Sequence, residues 1–166
     1  MTKASIATIV QTMNDAGVKY LLVGGLAVNA HGYLRLTVDV DLILQFEPTN
    51  LLAGIRVLKA LGYTPKIPVP IEDFADEAMR RSWREEKGAK VFALRSDVHP
   101  ETDIDVFITD PLGFDAAYDR RISMEVAAGI SATICAYDDL VTLKQSAGRP
   151  KDLLDLEQLR KARGES

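Results

Sequence analysis

Cysteine is nearly absent. Cys135 is the single cysteine in 166 residues, so no internal disulfide can form. One thiol and two histidines are also too few ligands for a structural zinc site. No apolar run approaches the roughly 20 residues that span a bilayer. Met1-Thr2-Lys3 runs straight into an amphipathic stretch, without the pattern of a signal peptide. The expected compartment is the cytoplasm, with no membrane partner. Surplus positive charge is missing too. The 20 basic and 24 acidic residues leave a net charge of -4, which repels a polyanion at long range and excludes extended docking on DNA or RNA. A local basic strip that guides a nucleic-acid end stays open.

What is present is an ordinary globular composition. Hydrophobic residues make up 47% of the chain, and a domain of this length buries about 70% of its unfolded surface. A single domain over 1–166 is expected.

Ser5 to Ala16 carries Ile6, Ile9, Val10 and Met13 at helical spacing and ends at Gly17. Tyr20 to Val23 predicts a short buried strand that stops at Gly24-Gly25, and Leu26 to His31 a short helix. From Leu36 to Leu44 every even position is apolar, with Thr37, Asp39 and Asp41 between. That period of two predicts one strand with a buried face. Thr49 or Asn50 is placed to cap a helix with Leu51, Leu52, Ile55, Leu58 and Leu61 inside. Three prolines between 65 and 70 keep that stretch extended or looped, and Glu72 to Glu86 predicts a charged helix. Strands follow over Lys90–Leu94 and Thr102–Ile108, then a hairpin over Arg121–Val126 and Ile130–Cys135. Asp138 or Asp139 opens a helix to about Ala147, and Pro150 begins the last one. The order implies one layered α/β or α+β domain.

Asp39 and Asp41 are the sharpest feature. Two apart on a strand, they point to one face with Cα atoms about 6.5–7 Å apart. Alone, such a pair fits a strand that turns its acids to water. Asp103 and Asp105 repeat the pattern between Ile104, Val106 and Ile108. If the strands are neighbours, the carboxylates converge, and a hard divalent cation relieves their repulsion. Asp105, deeper in its strand, is the better third ligand; Asp103 is read as a solvated strand-end acid. Gly24-Gly25 lets backbone N–H groups approach a phosphate, although a glycine pair is also simply a tight turn.

Val23-Gly24-Gly25, a 13-residue gap and Asp39-Val40-Asp41 resemble the signature of the polymerase-β-like nucleotidyltransferase superfamily, with Ile104-Asp105-Val106 similar to its third-carboxylate motif. The stretch from Gly24 to Gly32, Arg35-Leu36-Thr37, and the run from Leu143 to Asp155 look like its small prokaryotic branch, which includes AbiEii-type toxins of toxin–antitoxin systems. The resemblance implies a minimal nucleotidyltransferase fold: a mixed sheet flanked by helices, with two C-terminal helices. It also implies transfer of a nucleoside monophosphate from an NTP to an RNA, protein or small-molecule acceptor. Asp39, Asp41 and Asp105 would then be catalytic and hold Mg2+ or Mn2+. Gly24, Gly25, Arg35 and Lys144 would bind the nucleotide. Many members carry Gly-Ser at the turn; Gly25 leaves the phosphate grip to backbone amides. A non-catalytic nucleotide- or metal-binding module, or an antitoxin-binding partner, is the alternative, and a second subunit would complete a site in so short a chain.

Each remaining candidate has a plain structural reading beside the functional one. Lys144 suits the last turn of a helix and Asp152 the first turn of the next, while Asp155 fits a wet helix face. Arg35 reaches either phosphate or an ion pair with Asp39 or Asp41. Packing is the expected role for His31, for the Arg80, Arg81, Trp83 and Arg84 cluster, and for Cys135.

Overall fold

The computed structural model describes residues 1–165. Helix α1 (Lys3–Asp15), strand β1 (Tyr20–Val23), helix α2 (Gly24–Ala30) and strand β2 (Asp39–Leu44) come first. Next are α3 (Pro48–Ala60), β3 (Tyr63–Pro65), a 3-10 helix (Ile71–Ala75), α4 (Glu77–Lys87), β4 (Val91–Ser96) and β5 (Asp103–Phe107). The chain closes with α5 (Phe114–Asp119), β6 (Ile122–Ala127), β7 (Ile130–Ile134), α6 (Tyr137–Ala147) and α7 (Pro150–Ala162). The strands form one seven-stranded mixed sheet in the order β3-β4-β5-β2-β1-β7-β6. The mixed sheet, its flanking helices and the two C-terminal helices match the expected α/β architecture.

β2 is the middle strand of the seven. It pairs antiparallel with β1 and parallel with β5, so its backbone groups are satisfied on both edges. Val40, Leu42 and Leu44 are buried on one face. On the other face Asp39 and Asp41 are partly exposed while Ile43 is fully buried. That second face is open where the acids stand and covered beyond them.

Several boundaries differ from the periodicity. The apolar alternation at 36, 38 and 40 does not make one strand: Leu36 is 95% exposed, Val38 69%, and β2 begins only at Asp39. Residues 33–38 are an extended connector instead, with Arg35 and Thr37 tied inward by contacts described below. The cap of α3 is Glu47, whose carboxylate accepts from the N–H groups of Thr49 and Asn50 at 3.2 and 3.0 Å. Asn50 is buried and bridges Lys19 and Gln45. The charged stretch from Glu72 breaks at Asp76, which caps α4 through the Ala78 N–H at 2.8 Å. Helix α5, six residues long, gave no periodic signal to read. Among the described residues no helix is long and apolar enough to cross a membrane.

Candidate active site

Two adjoining strands assemble the acids. In the parallel β2–β5 ladder Asp39 faces Asp103 and Asp41 faces Asp105. Directly opposed residues, like residues two apart on one strand, share a sheet face. All four carboxylates therefore rise from one side, while Val40, Leu42, Ile104 and Val106 fill the other.

Burial and like charge act on the two deeper acids, Asp41 and Asp105. Burial, then the charges of Asp105 and Asp39, push the Asp41 carboxyl up to about 6, against the pull of Lys144 and Lys151. Burial raises Asp105 as well, helped by Asp39 and opposed by Lys66. Neither shift includes a hydrogen bond. These are carboxylates without a protein donor to stabilise their charge. Among the described residues no three His, Cys, Asp or Glu side chains draw together as a closed ligand set. Hard oxygen donors are the right chemistry for Mg2+ or Mn2+, and Asp39, Asp41 and Asp105 offer them on one sheet face.

Asp103 differs from the solvated acid expected of it. Lys66 pairs with it at 2.6 Å. The Lys66 N–H donates to the Ala93 carbonyl at 2.9 Å, extending the β3–β4 pairing past Pro65. Ala93 in turn faces Asp105. One row across the sheet thus reads Lys66, Ala93, Asp105, Asp41 and Val23. Sequence reading missed Lys66 because it follows a proline-rich loop and carries no motif.

The glycine turn is built tightly against the acids. Gly24 has φ +63°, the left-handed region, and a Cβ there would stand 2.0 Å from the Asp41 Oδ2. At Gly25 a Cβ would meet Thr37, 2.3 Å from its Oγ1 and 2.6 Å from its Cβ. The space a side chain at Gly25 would take is filled by Thr37, which the sequence had offered only as a spacer in the strand.

Lys144 and Arg35, expected at the phosphates, take part in an ionic cluster with Asp152 and Asp155. The Lys144 ammonium donates to Asp155 at 2.7 Å and to Asp152 at 3.1 Å. All three side chains are nearly without solvent contact. Arg35 forks onto Asp155 with Nε and Nη2 at 2.7 and 2.8 Å, rather than onto Asp39 or Asp41. Asp152 also accepts from the Arg149 backbone N–H and guanidinium, closing a capping box at α7. Burial raises both carboxyls, but donors outweigh it: Arg149 and Lys144 at Asp152, Arg35 and Lys144 at Asp155, so both sit below the ordinary range. Asp155 is therefore no wet-face residue. The apolar stripe of α7 concealed it, since a buried acid leaves no periodic trace without its partners.

Of the side candidates, His31 Nε2 lies 2.8 Å from the Cys135 carbonyl and its ring meets Tyr137 edge-on. Trp83 is buried and stacks on Phe92 at 4.9 Å. Both pack, as expected. Lys151, exposed at the start of α7, acts on Asp41 and Asp105 through its charge. Two surface grooves of about 430 and 570 Å3 lie along α6–α7 and along residues 59–72, and no cluster carboxylate lines either.

No family model matches the chain, and no curated protein matches it in sequence. Solved structures do match. Lincosamide antibiotic adenylyltransferase LnuA, lincomycin-bound, superposes with TM-score 0.61 at 16% identity, covering 98% of each chain. ANT(2")-Ia in complex with adenylyl-2"-tobramycin gives 0.59 at 13% identity, over 96% of this chain and 88% of that one. An antigenic nucleotidyltransferase-like protein from Paracoccidioides brasiliensis gives 0.58 at 16%, over 96% and 74%. The chain has the nucleotidyltransferase fold. In this nucleotidyltransferase fold the acids stand on the central strand and its parallel neighbour.

Two outcomes follow for stability. Lys144→Ala removes the buried ammonium that Asp152 and Asp155 share, leaving each carboxylate with one arginine, and should lower the unfolding free energy by about 2–3 kcal/mol in a denaturant titration. Unchanged stability would return the lysine to the phosphates. Asp41 works with the opposite sign. Its folded pKa of about 6 exceeds the unfolded 3.8, so the stability linked to its proton is complete below pH 4 and is lost as pH rises through 6. Asp41→Asn should raise the melting temperature of metal-free protein by about 3–8 °C at pH 7.5, and by little at pH 4. A drop at pH 7.5 would contradict this electrostatic account.

Proposed function

We propose that this chain is a metal-dependent nucleotidyltransferase that moves a nucleoside monophosphate from an NTP onto a hydroxyl of a small molecule. The observation that carries the reading is the group of carboxylates without an ion-pair partner, Asp39 and Asp41 on β2 with Asp105 opposite Asp41, beside the Gly24-Gly25 turn. Asp39, Asp41 and Asp105 are the residues that would hold Mg2+ or Mn2+, which neutralises phosphate charge and makes the acceptor hydroxyl more acidic. Asp105, opposite Asp41 on the neighbouring strand, is the carboxylate placed to accept a proton from an acceptor hydroxyl. The acceptor oxygen bonds to the α-phosphorus as the bond to the bridging oxygen breaks, and that electron pair leaves with pyrophosphate. The hydroxyl proton passes to the Asp105 carboxylate. Backbone N–H groups at Gly24 and Gly25 would face the phosphates. Lys151 and Arg149 supply positive charge at the edge of the site. Arg35 and Lys144 would act on the nucleotide mainly through field and position, since most of their donors already serve Asp155 and Asp152.

The acceptor class draws support from two sides. Net charge disfavours a long polyanion, and the neighbours include a lincomycin-bound enzyme and one holding an adenylylated tobramycin. The chain spans 98% of a chain named as an adenylyltransferase, so its length alone does not favour the module without turnover. The AbiEii-like branch, a toxin–antitoxin role and a partner subunit rest on the sequence motifs and would show as label on RNA or protein.

The test is incubation with each α-labelled NTP, Mg2+, and separated metabolite, RNA and protein fractions of a cell extract. Label on a small molecule is expected. With that acceptor in hand, Asp105→Asn should keep NTP affinity within a few-fold while transfer falls by about 10²-fold or more. NTP binding without transfer to any fraction would leave the module. Wild-type transfer by the variant would remove Asp105 from the chemistry.

A further inference from the structure

We infer that the Thr37 hydroxyl is a nucleotide-binding group, a side-chain donor for a phosphate oxygen at the glycine turn. The inference rests on the nucleotide-binding reading of the site and deepens it. Its basis is where Thr37 stands. The side chain lies so close over Gly25 that a Cβ there would come within 2.3 Å of Oγ1 and 2.6 Å of the Thr37 Cβ. The Arg35 Nη1 is 3.4 Å from the same point. Thr37 therefore fills the volume that a side chain at position 25 would occupy, and it sets a hydroxyl there.

That hydroxyl is barely used by the protein. It donates to the Asp39 carbonyl at 3.4 Å, the long limit of a hydrogen bond, and the residue is partly exposed. A threonine held between the turn and the first acidic strand, with its donor nearly free, suits an oxyanion that arrives from solvent. The connector is fixed well enough to hold it. Arg35 is clamped to Asp155 and its own N–H donates to Asn29, while Asp39 opens the β2–β5 ladder. Both flanks of Thr37 are anchored, so the hydroxyl is placed without relying on its weak internal bond.

Packing alone is the competing explanation, in which Thr37 merely plugs the notch above Gly25. Shape and hydroxyl separate cleanly. Thr37→Val keeps the branched volume and deletes the donor; Thr37→Ser keeps the donor and deletes a methyl. Binding of Mg2+-ATP and Mg2+-GTP is measured by calorimetry at pH 7.5, beside melting temperatures without nucleotide. We expect Thr37→Val to melt like wild type and to bind about 10-fold or more weakly, the scale of one hydrogen bond to a charged oxygen. Thr37→Ser should bind within about 3-fold of wild type. A swap follows from the collision. Gly25→Ser alone must displace Thr37 and should weaken binding, whereas Gly25→Ser with Thr37→Gly opens the notch and should recover most of the loss. Wild-type affinity in Thr37→Val, beside a wild type that binds nucleotide, would overturn the role of this hydroxyl alone. A wild type that binds neither nucleotide with Mg2+ would overturn the inference together with the function beneath it.

Discussion

Repulsion among carboxylates on two neighbouring strands is the constraint on which the site depends. Parallel register sets Asp39 opposite Asp103 and Asp41 opposite Asp105, and the apolar residues between them commit both strands to the core. The acids cannot turn away without exposing Val40, Leu42, Ile104 and Val106, because a one-residue slip moves every side chain to the other face. The sheet thus pins negative charge where folding alone would not choose it. Lys66 relieves part of it by pairing with Asp103; Asp41 and Asp105 retain raised pKa values. Charge that a fold holds against its own stability, beside a turn with φ +63° at Gly24, marks this face as the candidate functional site.

A second group of charges is satisfied within the protein. Lys144, Asp152, Asp155, Arg35 and Arg149 form a cluster in which the buried carboxylates have their donors. Its mechanical effect is to tie α6 and α7 to the connector before β2. Arg35 belongs to the connector and Asp155 to α7, 120 positions later, so one forked ion pair sets the approach to Asp39. Without Arg35, Asp155 would keep only the Lys144 ammonium, and the connector would lose its tie to α7. Thr37, two residues from Arg35, inherits its place over Gly25 from that clamp.

Much of this was legible in the chain. The alternation of 39–42 and 103–106 reads directly as two strands with acids on one face, because apolar and charged residues alternate there without a break. The glycine turn and the two last helices were legible for similar reasons of spacing and capping. What escaped was whatever depends on contacts between distant segments. Leu36 and Val38 continue an apolar pattern but lie outside β2, since the connector is held by Arg35 and Thr37 and not by burial of its aliphatic side chains. Asp155 looked solvated because its partners are Lys144 and Arg35, and neither is near it on the helix. Lys66 lay unremarked after a proline, and Thr37 looked like a spacer until its contact with Gly25 was seen. A single sequence gives the identity of charged residues but not which ones neutralise each other.

The account stands on the idea that Asp39 and Asp41 hold charge that a divalent cation relieves. The most direct test is a titration of Mn2+ or Mg2+ into nucleotide-free protein at pH 7.5, read as melting temperature, for wild type and for Asp39→Asn with Asp41→Asn. Binding to the folded state alone stabilises by mass action, by about 2.7 kcal/mol at a hundredfold excess over Kd, which is several degrees for a domain of this size. The account predicts that rise in the wild type and a flat response in the double variant. An equal metal response in both proteins would contradict it.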